Sequence, residues 1–168
     1  MRINKGVEWA VHACGLLAPL PPGQGLSLAA LAGYHGVPGA YMAKQMQALS
    51  RAGIVNASKG KTGGYALARA PSEISLWDIT RAVDGPASLF RCTEIRQAGP
   101  CASPPERCVK ACPIAAAFAK AEQSYRAALR EVSLADILGA TADAMTPDHL
   151  GEISGWLSQN ATTLPMSI

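Results

Sequence analysis

Six side chains of the 168-residue sequence carry spacing that could do chemistry. Glu8 and His12 stand four residues apart in GVEWAVHAC (6–14), with Trp9 beside them. Residues four apart on a helix share a face, so a carboxylate and an imidazole would converge there. Alone they make a surface hydrogen-bonded pair; with further donors nearby they would be half of a metal site. Such donors occur in the second group, Cys92, Cys101, Cys108 and Cys112, spaced C-x8-C-x6-C-x3-C.

Three chemistries suit those four cysteines. Structural zinc needs four donors, but the paired CxxC knuckles usual in such sites are missing. A thiol–disulfide switch needs only two thiols. An iron–sulfur cluster fits the Cys112-Pro113 ending, a pairing common at the close of cluster-binding runs. The fifth cysteine, Cys14, falls mid-stripe on the first predicted helix and reads as a small buried hydrophobe. Enzyme chemistry is not indicated. There is no nucleotide or flavin fingerprint and no nucleophile–base set with a recognisable spacing. His35 and His149 read as isolated surface or cap residues. The glycine-rich GKTGG lacks the strand and helix that a phosphate-binding loop requires. No small-molecule substrate is expected.

The elements that must position these residues are mostly helical. Residues 5–18 predict a first helix, with Val7, Ala10, Val11, Cys14 and Leu17 on one stripe. Glu8 and His12 lie off that stripe. PLPPGQG (19–25) breaks the chain, and Ser27 is suited to cap a second helix, LAALAGYHG. After the turn Gly36-Val37-Pro38-Gly39, a third helix spans about Ala40 to Ala52. Met42, Met46 and Leu49 form its inner face, with Ala40, Lys44, Gln47 and Arg51 opposite and Tyr41 to one side. Residues 53–71 predict a hairpin whose tip carries Lys59 and Lys61. A further helix is capped by Ser75 and closed by Gly85. Two helices joined by a tight turn, followed by a basic hairpin, are the order of a winged helix-turn-helix.

The cysteine loop, 86–112, is longer than a compact domain needs unless the loop has a function. From Pro113 to about Val132 a long helix is expected. Ile114, Phe118, Ala121, Tyr125, Ala128 and Val132 alternate at four and three residues along it, a seam for a partner helix. A homodimer is expected, because two half-site readers pair beside such a module. SLADILGA and TPDHLGEISGWLSQN predict short terminal helices, and the last residues carry no signal. The expected division is 1–85 winged helix-turn-helix, 86–112 cysteine loop and 113–168 dimerisation helix with C-terminal helices.

Charge agrees with a polyanion partner. Residues 1–70 hold seven basic residues against Glu8 alone, whereas 71–168 hold eight basic and eleven acidic ones. The first part is therefore about +6 and the rest about −3, for a total of +3. No run of about 18 apolar residues predicts a membrane span. The N-terminus lacks the apolar segment of a signal peptide. Five cysteines without such a signal point to a reducing compartment, with the cytoplasm expected.

The stretch SLAALAGYHGVPGAYMAKQMQALSRAGIVNASKGKTGGYALARAPSEISLWDITRAVDG closely resembles the iron–sulfur winged-helix transcription regulators, the Rrf2-type family that includes IscR, NsrR and RsrR. The resemblance spans about residues 1–135, and the VEWA-x-H helix is most similar to the RsrR type. It implies a fold that is mainly α with a small β-hairpin wing, and a homodimer crossed by the long helix. It also implies binding to a near-palindromic operator in double-stranded DNA under the control of a [2Fe–2S] cluster. Carried over by position, Glu8 and His12 of one subunit and Cys92 and Cys112 of the other would hold the cluster, leaving Cys101 and Cys108 spare. Many members carry three closely spaced cysteines; this chain has wider gaps and a fourth. With two thiolates replaced by a carboxylate and a neutral imidazole, the oxidised centre would be formally about −1 rather than −2, which eases reduction. Trp9 would gate redox access or change rotamer with the charge of the centre. Tyr41, Lys44 and Gln47 would face the major groove, and Lys59 and Lys61 would reach phosphates from the wing. The alternative keeps DNA binding and makes the cysteine loop a zinc site or thiol–disulfide switch.

Overall fold

The computed structural model describes residues 4–60 and 62–165. Its first helix, α1 (Lys5–Leu17), begins where the Asn4 side chain accepts a hydrogen bond from the Gly6 amide at 2.9 Å. Val7, Ala10, Cys14 and Leu17 are buried as their spacing predicts, and Val11 is half-buried. Ala13 and Leu16 widen the buried stripe. The second helix, α2 (Leu28–His35), is capped by Ser27, whose hydroxyl accepts from the Ala30 amide at 3.1 Å. It stops at Gly36, which takes the left-handed φ of 61° that glycine tolerates best. Pro38 starts α3 (Gly39–Arg51). Met42, Met46 and Leu49 of α3 are fully buried, and Tyr41, Lys44, Gln47 and Arg51 are exposed. That is the division expected of a recognition helix, with one addition. Gln45 lies buried against α1, where a Cβ on Gly6 would come within 2.9 Å of its side chain. The small Gly6 thus lets α1 and α3 approach closely.

The hairpin forms from β2 (Val55–Ser58) and β3 (Gly64–Leu67), antiparallel, with Val55 opposite Leu67 and Ser58 opposite Gly64. Two features here depart from expectation. PLPPGQG does not only break the chain; it ends in a short strand, β1 (Gln24–Gly25). The C-terminal residues, which show no signal in sequence, supply β4 (Thr162–Thr163), antiparallel to β1 with Gly25 opposite Thr162. Leu26 and Tyr65 then exchange backbone hydrogen bonds of 3.0 and 2.9 Å, joining this pair to the wing. Gly25 and Gly64 make the junction possible: a Cβ on Gly25 would sit 2.4 Å from the Tyr65 carbonyl oxygen, and one on Gly64 2.7 Å from that of Leu26.

The remaining helices are α4 (Leu76–Asp84), α5 (Pro113–Glu131), α6 (Leu134–Asp143) and α7 (Pro147–Asn160). Capping boxes open both α4 and α6. Ser75 and Asp78 exchange bonds of 3.0 and 3.1 Å, and Ser133 and Asp136 bonds of 2.8 and 3.1 Å. The two entry segments run antiparallel, tied by Leu76 N–H to the Val132 carbonyl and Leu134 N–H to the Ile74 carbonyl. One core draws on α1, α2, α3, α4 and the wing, and includes Leu134 of α6 and Leu157 of α7. Helix α5 stands apart. Trp77 of α4 packs beneath it, with the Arg126 and Arg130 guanidinium groups 4.9 and 5.3 Å from the indole. Of the predicted seam, Ile114, Phe118, Ala121 and Ala128 are exposed and Tyr125 and Val132 half-buried. No described helix is long and apolar enough to cross a membrane.

Candidate regulatory centre and DNA interface

Helix α1 presents Glu8 and His12 outward, both exposed, because Val7, Ala10 and Cys14 claim the opposite side for the core. The pair does not bond to itself: no Glu8–His12 hydrogen bond or ion pair occurs among the described residues. His12 instead faces His35 at the end of α2, with ring centroids 5.6 Å apart. The reading of His35 as an isolated residue is therefore corrected. It is half-buried, flanked edge-on by Tyr34 at 4.9 Å, and its Nε2 is buried without a hydrogen-bond partner. Burial, and then the neighbouring His12 charge, hold the His35 imidazole below its ordinary pKa, against an opposing pull from the His12 backbone. The sequence hides this pair because 23 positions separate the two histidines and no local pattern joins them.

Trp9 points toward α3, where it meets Tyr41 edge to face with centroids 5.9 Å apart. One turn of α1 thus carries a proposed ligand pair, and between them an aromatic side chain that touches the recognition helix.

The cysteine loop contains two short 3-10 turns, Ile95–Gln97 and Pro105–Arg107, and otherwise no regular structure. Its beginning is fastened to α5. Glu122, only 7% exposed, accepts from the Ser88 hydroxyl at 2.6 Å and the Leu89 amide at 3.1 Å, and pairs with Arg126. Phe90 stacks on Phe118 at 4.5 Å. Cys92 follows two residues later and is half-buried. Its sulfur accepts from the Glu94 amide at 3.4 Å and lies 3.6 Å from the Glu94 carboxylate. Cys112 sits at the start of α5, where the Ala115 and Ile114 amides hold its thiol below the ordinary thiol pKa, with help from Arg96. Cys108 is half-buried and Cys101 exposed. Cys14 lies in the core, where burial pushes its thiol up to about 12, so it is inert.

Among the described residues of one chain, no three His, Cys, Asp or Glu side chains come together as a metal site. Tyr41, Lys44 and Gln47, the positions expected to meet DNA, are exposed together on α3, and Lys59 stands exposed at the wing tip. Lys61 lies outside the described residues.

A helix-turn-helix of α2 and α3, a basic hairpin beside it and a long outlying helix define a winged-helix DNA-binding regulator. The comparisons agree. Residues 3–140 match the Rrf2 family, described as "Iron-dependent Transcriptional regulator", and the chain belongs to that family. It is a transcription regulator and not an enzyme. IscR of T. potens shares the fold with a TM-score of 0.64 at 24% identity, covering 87% of this chain and 92% of that one. CymR of B. subtilis, the global cysteine regulator of that organism, aligns with a TM-score of 0.61 at 21% identity over 83% and 98% of the two chains. The oxidized form of CymR from Staphylococcus aureus gives 0.58 at 20% identity over 82% and 96%. The mainly α fold with a small wing matches the sequence expectation.

Proposed function

We propose that this chain is a dimeric regulator whose operator binding depends on a [2Fe–2S] cluster, held by Glu8 and His12 of one protomer and Cys92 and Cys112 of the other. The observation that carries this reading is that Glu8 and His12 lie exposed on α1, open to donors from another chain, in a protein whose family is described as an iron-dependent transcriptional regulator. The donors fit the group, since two thiols, a carboxylate and an imidazole complete two tetrahedral irons. The exposed apolar side chains of α5, Ile114 at 62% and Phe118 at 50%, support a partner helix there. When bound, the cluster supplies a one-electron couple.

The residues of the chain do the rest. Glu8 and His12 tie α1 of one protomer to the cysteine loop of its partner. Through Gly6–Gln45 and Trp9–Tyr41, α1 is packed on α3, so the strength of that tie sets where each recognition helix lies. A dimer reading two half-sites tolerates little error in their spacing. Tyr41, Lys44 and Gln47 read base edges, while Lys59 and Lys61 neutralise phosphates. The test has two arms. Anaerobically purified protein should absorb in the visible and hold about two irons per two-iron site. Alanine at Glu8, His12, Cys92 or Cys112 should remove that signature, and alanine at Cys101 or Cys108 should not. Operator affinity of oxidised, reduced and apo protein at one salt concentration should then differ. A colourless protein, or equal affinities in all three states, overturns the reading.

A second reading is favoured by one observation. The Cys112 thiol is held low at the start of α5, as in reactive thiols; in line with it, the structural neighbours include CymR of B. subtilis, described as a global cysteine regulator, and an oxidized form of S. aureus CymR. A thiol–disulfide switch or zinc site in the loop would then replace the cluster. Zinc in place of iron, or a reversible Cys–Cys bond that changes operator affinity, would establish it.

A further inference from the structure

Past the Phe90–Phe118 stack at its start, the long loop between α4 and α5 buries little apolar surface; Leu89, Ile95 and Val109 are all exposed. One side chain holds its two halves together. Arg96 pairs with Glu94 at 2.7 Å, next to the Cys92 sulfur, on the near half of the loop. The same guanidinium donates to the Cys108 carbonyl at 3.1 Å and the Lys110 carbonyl at 2.7 Å on the far half. Its own carbonyl accepts from the Ser103 amide at 2.8 Å. Glu94 takes a left-handed φ of 52°, unusual for a residue with a side chain, which turns the chain back beneath Cys92.

We propose that Arg96 is a positioning residue for the regulatory centre: it clasps the two halves of the cysteine loop, which sets where Cys92 on one half stands relative to Cys112 on the other, and it balances the Glu94 carboxylate beside the Cys92 sulfur. The planar fork suits this task, because one group meets a carboxylate and two carbonyls at once, which a lysine ammonium cannot do in a fixed plane. Side chains in this position around ligands change affinity and potential although they never touch the metal. Because the Glu94 carboxylate lies 3.6 Å from the Cys92 sulfur, its pairing with Arg96 offsets a negative charge next to the centre, which favours the reduced form. The inference rests on the ligand assignment proposed above.

The experiment compares wild type, Arg96→Gln and Arg96→Lys in two forms. In iron-loaded protein, R96Q should lose iron to a chelator about 10-fold more readily or worse, and its midpoint potential should move negative. R96K should return the potential toward wild type while retaining iron poorly, since charge is restored without the fork. In apo protein with Cys101 and Cys108 replaced by alanine, a bifunctional alkylating reagent, fluorescent only when both arms react, reports Cys92–Cys112 proximity. R96Q should lower its yield several-fold. Wild-type iron retention and potential in R96Q, with unchanged cross-linking, overturns the proposal. If wild type binds no iron, the ligand assignment fails by itself and cross-linking alone decides: a lower yield in R96Q supports the clasp, and an equal yield overturns it.

Discussion

Trp9 of α1 meets Tyr41 of α3 edge to face, 5.9 Å between ring centroids, so the helix bearing the proposed ligand pair touches the proposed recognition helix. Edge-to-face aromatic pairs add about 0.5–1.5 kcal/mol beyond their buried area. A double-mutant cycle of Trp9→Ala and Tyr41→Ala, read as operator affinity in the iron-loaded protein, should therefore show a coupling of about that size. The single Trp9→Ala variant should bind operator more weakly although it touches no base. Strictly additive effects would mean that the contact transmits nothing.

The wing prediction rests on charge alone. Lys59 is exposed at the hairpin tip and makes no ion pair among the described residues. Lys59→Ala should weaken binding to all duplexes alike and reduce the slope of log affinity against log salt by about 1. Anisotropy titrations at four salt concentrations measure this. An unchanged slope would place the hairpin off the DNA.

Glu122 gives a pH prediction. The Ser88 hydroxyl chiefly, then the Leu89 amide and Arg126, hold its carboxyl below the ordinary value of 4.5. A carboxyl depressed in the folded state contributes stability that is fully present above its unfolded pKa. That contribution is lost as pH falls through the lower folded value. The acid limb of a Tm–pH profile should thus drop below about pH 4.5, and Glu122→Gln should flatten it while lowering Tm at neutral pH. Because Glu122 fastens the start of the cysteine loop, the variant should also hold iron less firmly.

Most of the DNA-binding module was legible because each element announces itself locally. Ser27 and Ser75 cap where a cap is expected, Gly36 stops α2, and the methionines of α3 keep helical spacing. The misses share a different cause. His35 facing His12, β4 pairing with β1, Glu122 gripping Ser88 and Arg96 spanning the loop are all contacts between segments distant in sequence or without periodicity. A two-residue strand shows no alternation, and a buried carboxylate on a helix looks like any solvated glutamate until its partner is seen. The ligand set itself came from resemblance, since spacing alone leaves zinc, thiol and cluster chemistry all open.

The C-terminal segment supports the wing, and this yields the last prediction. Residues 141–165 lie beyond the match to the family, which ends at 140. Trp156 of α7 packs edge-on against Tyr34 of α2 at 4.6 Å, and Leu157 enters the common core. Leu164 then lies against the glycines that join the two strand pairs, Gly25 and Gly64. Just before it β4 bonds to β1, and β1 leads through Leu26 to Tyr65 of the wing. Leu157→Ala should cost about 2–4 kcal/mol of stability by loss of transfer energy and creation of a cavity, read by urea denaturation. Leu164→Ala should cost less, because it lies at the margin of the core, but it should loosen the wing specifically. Amide exchange of Tyr65 and Leu26, whose mutual bonds of 2.9 and 3.0 Å close this junction, should then speed up more than exchange in α3. Equal acceleration throughout the module would show that the tail stabilises the domain globally and has no particular hold on the wing.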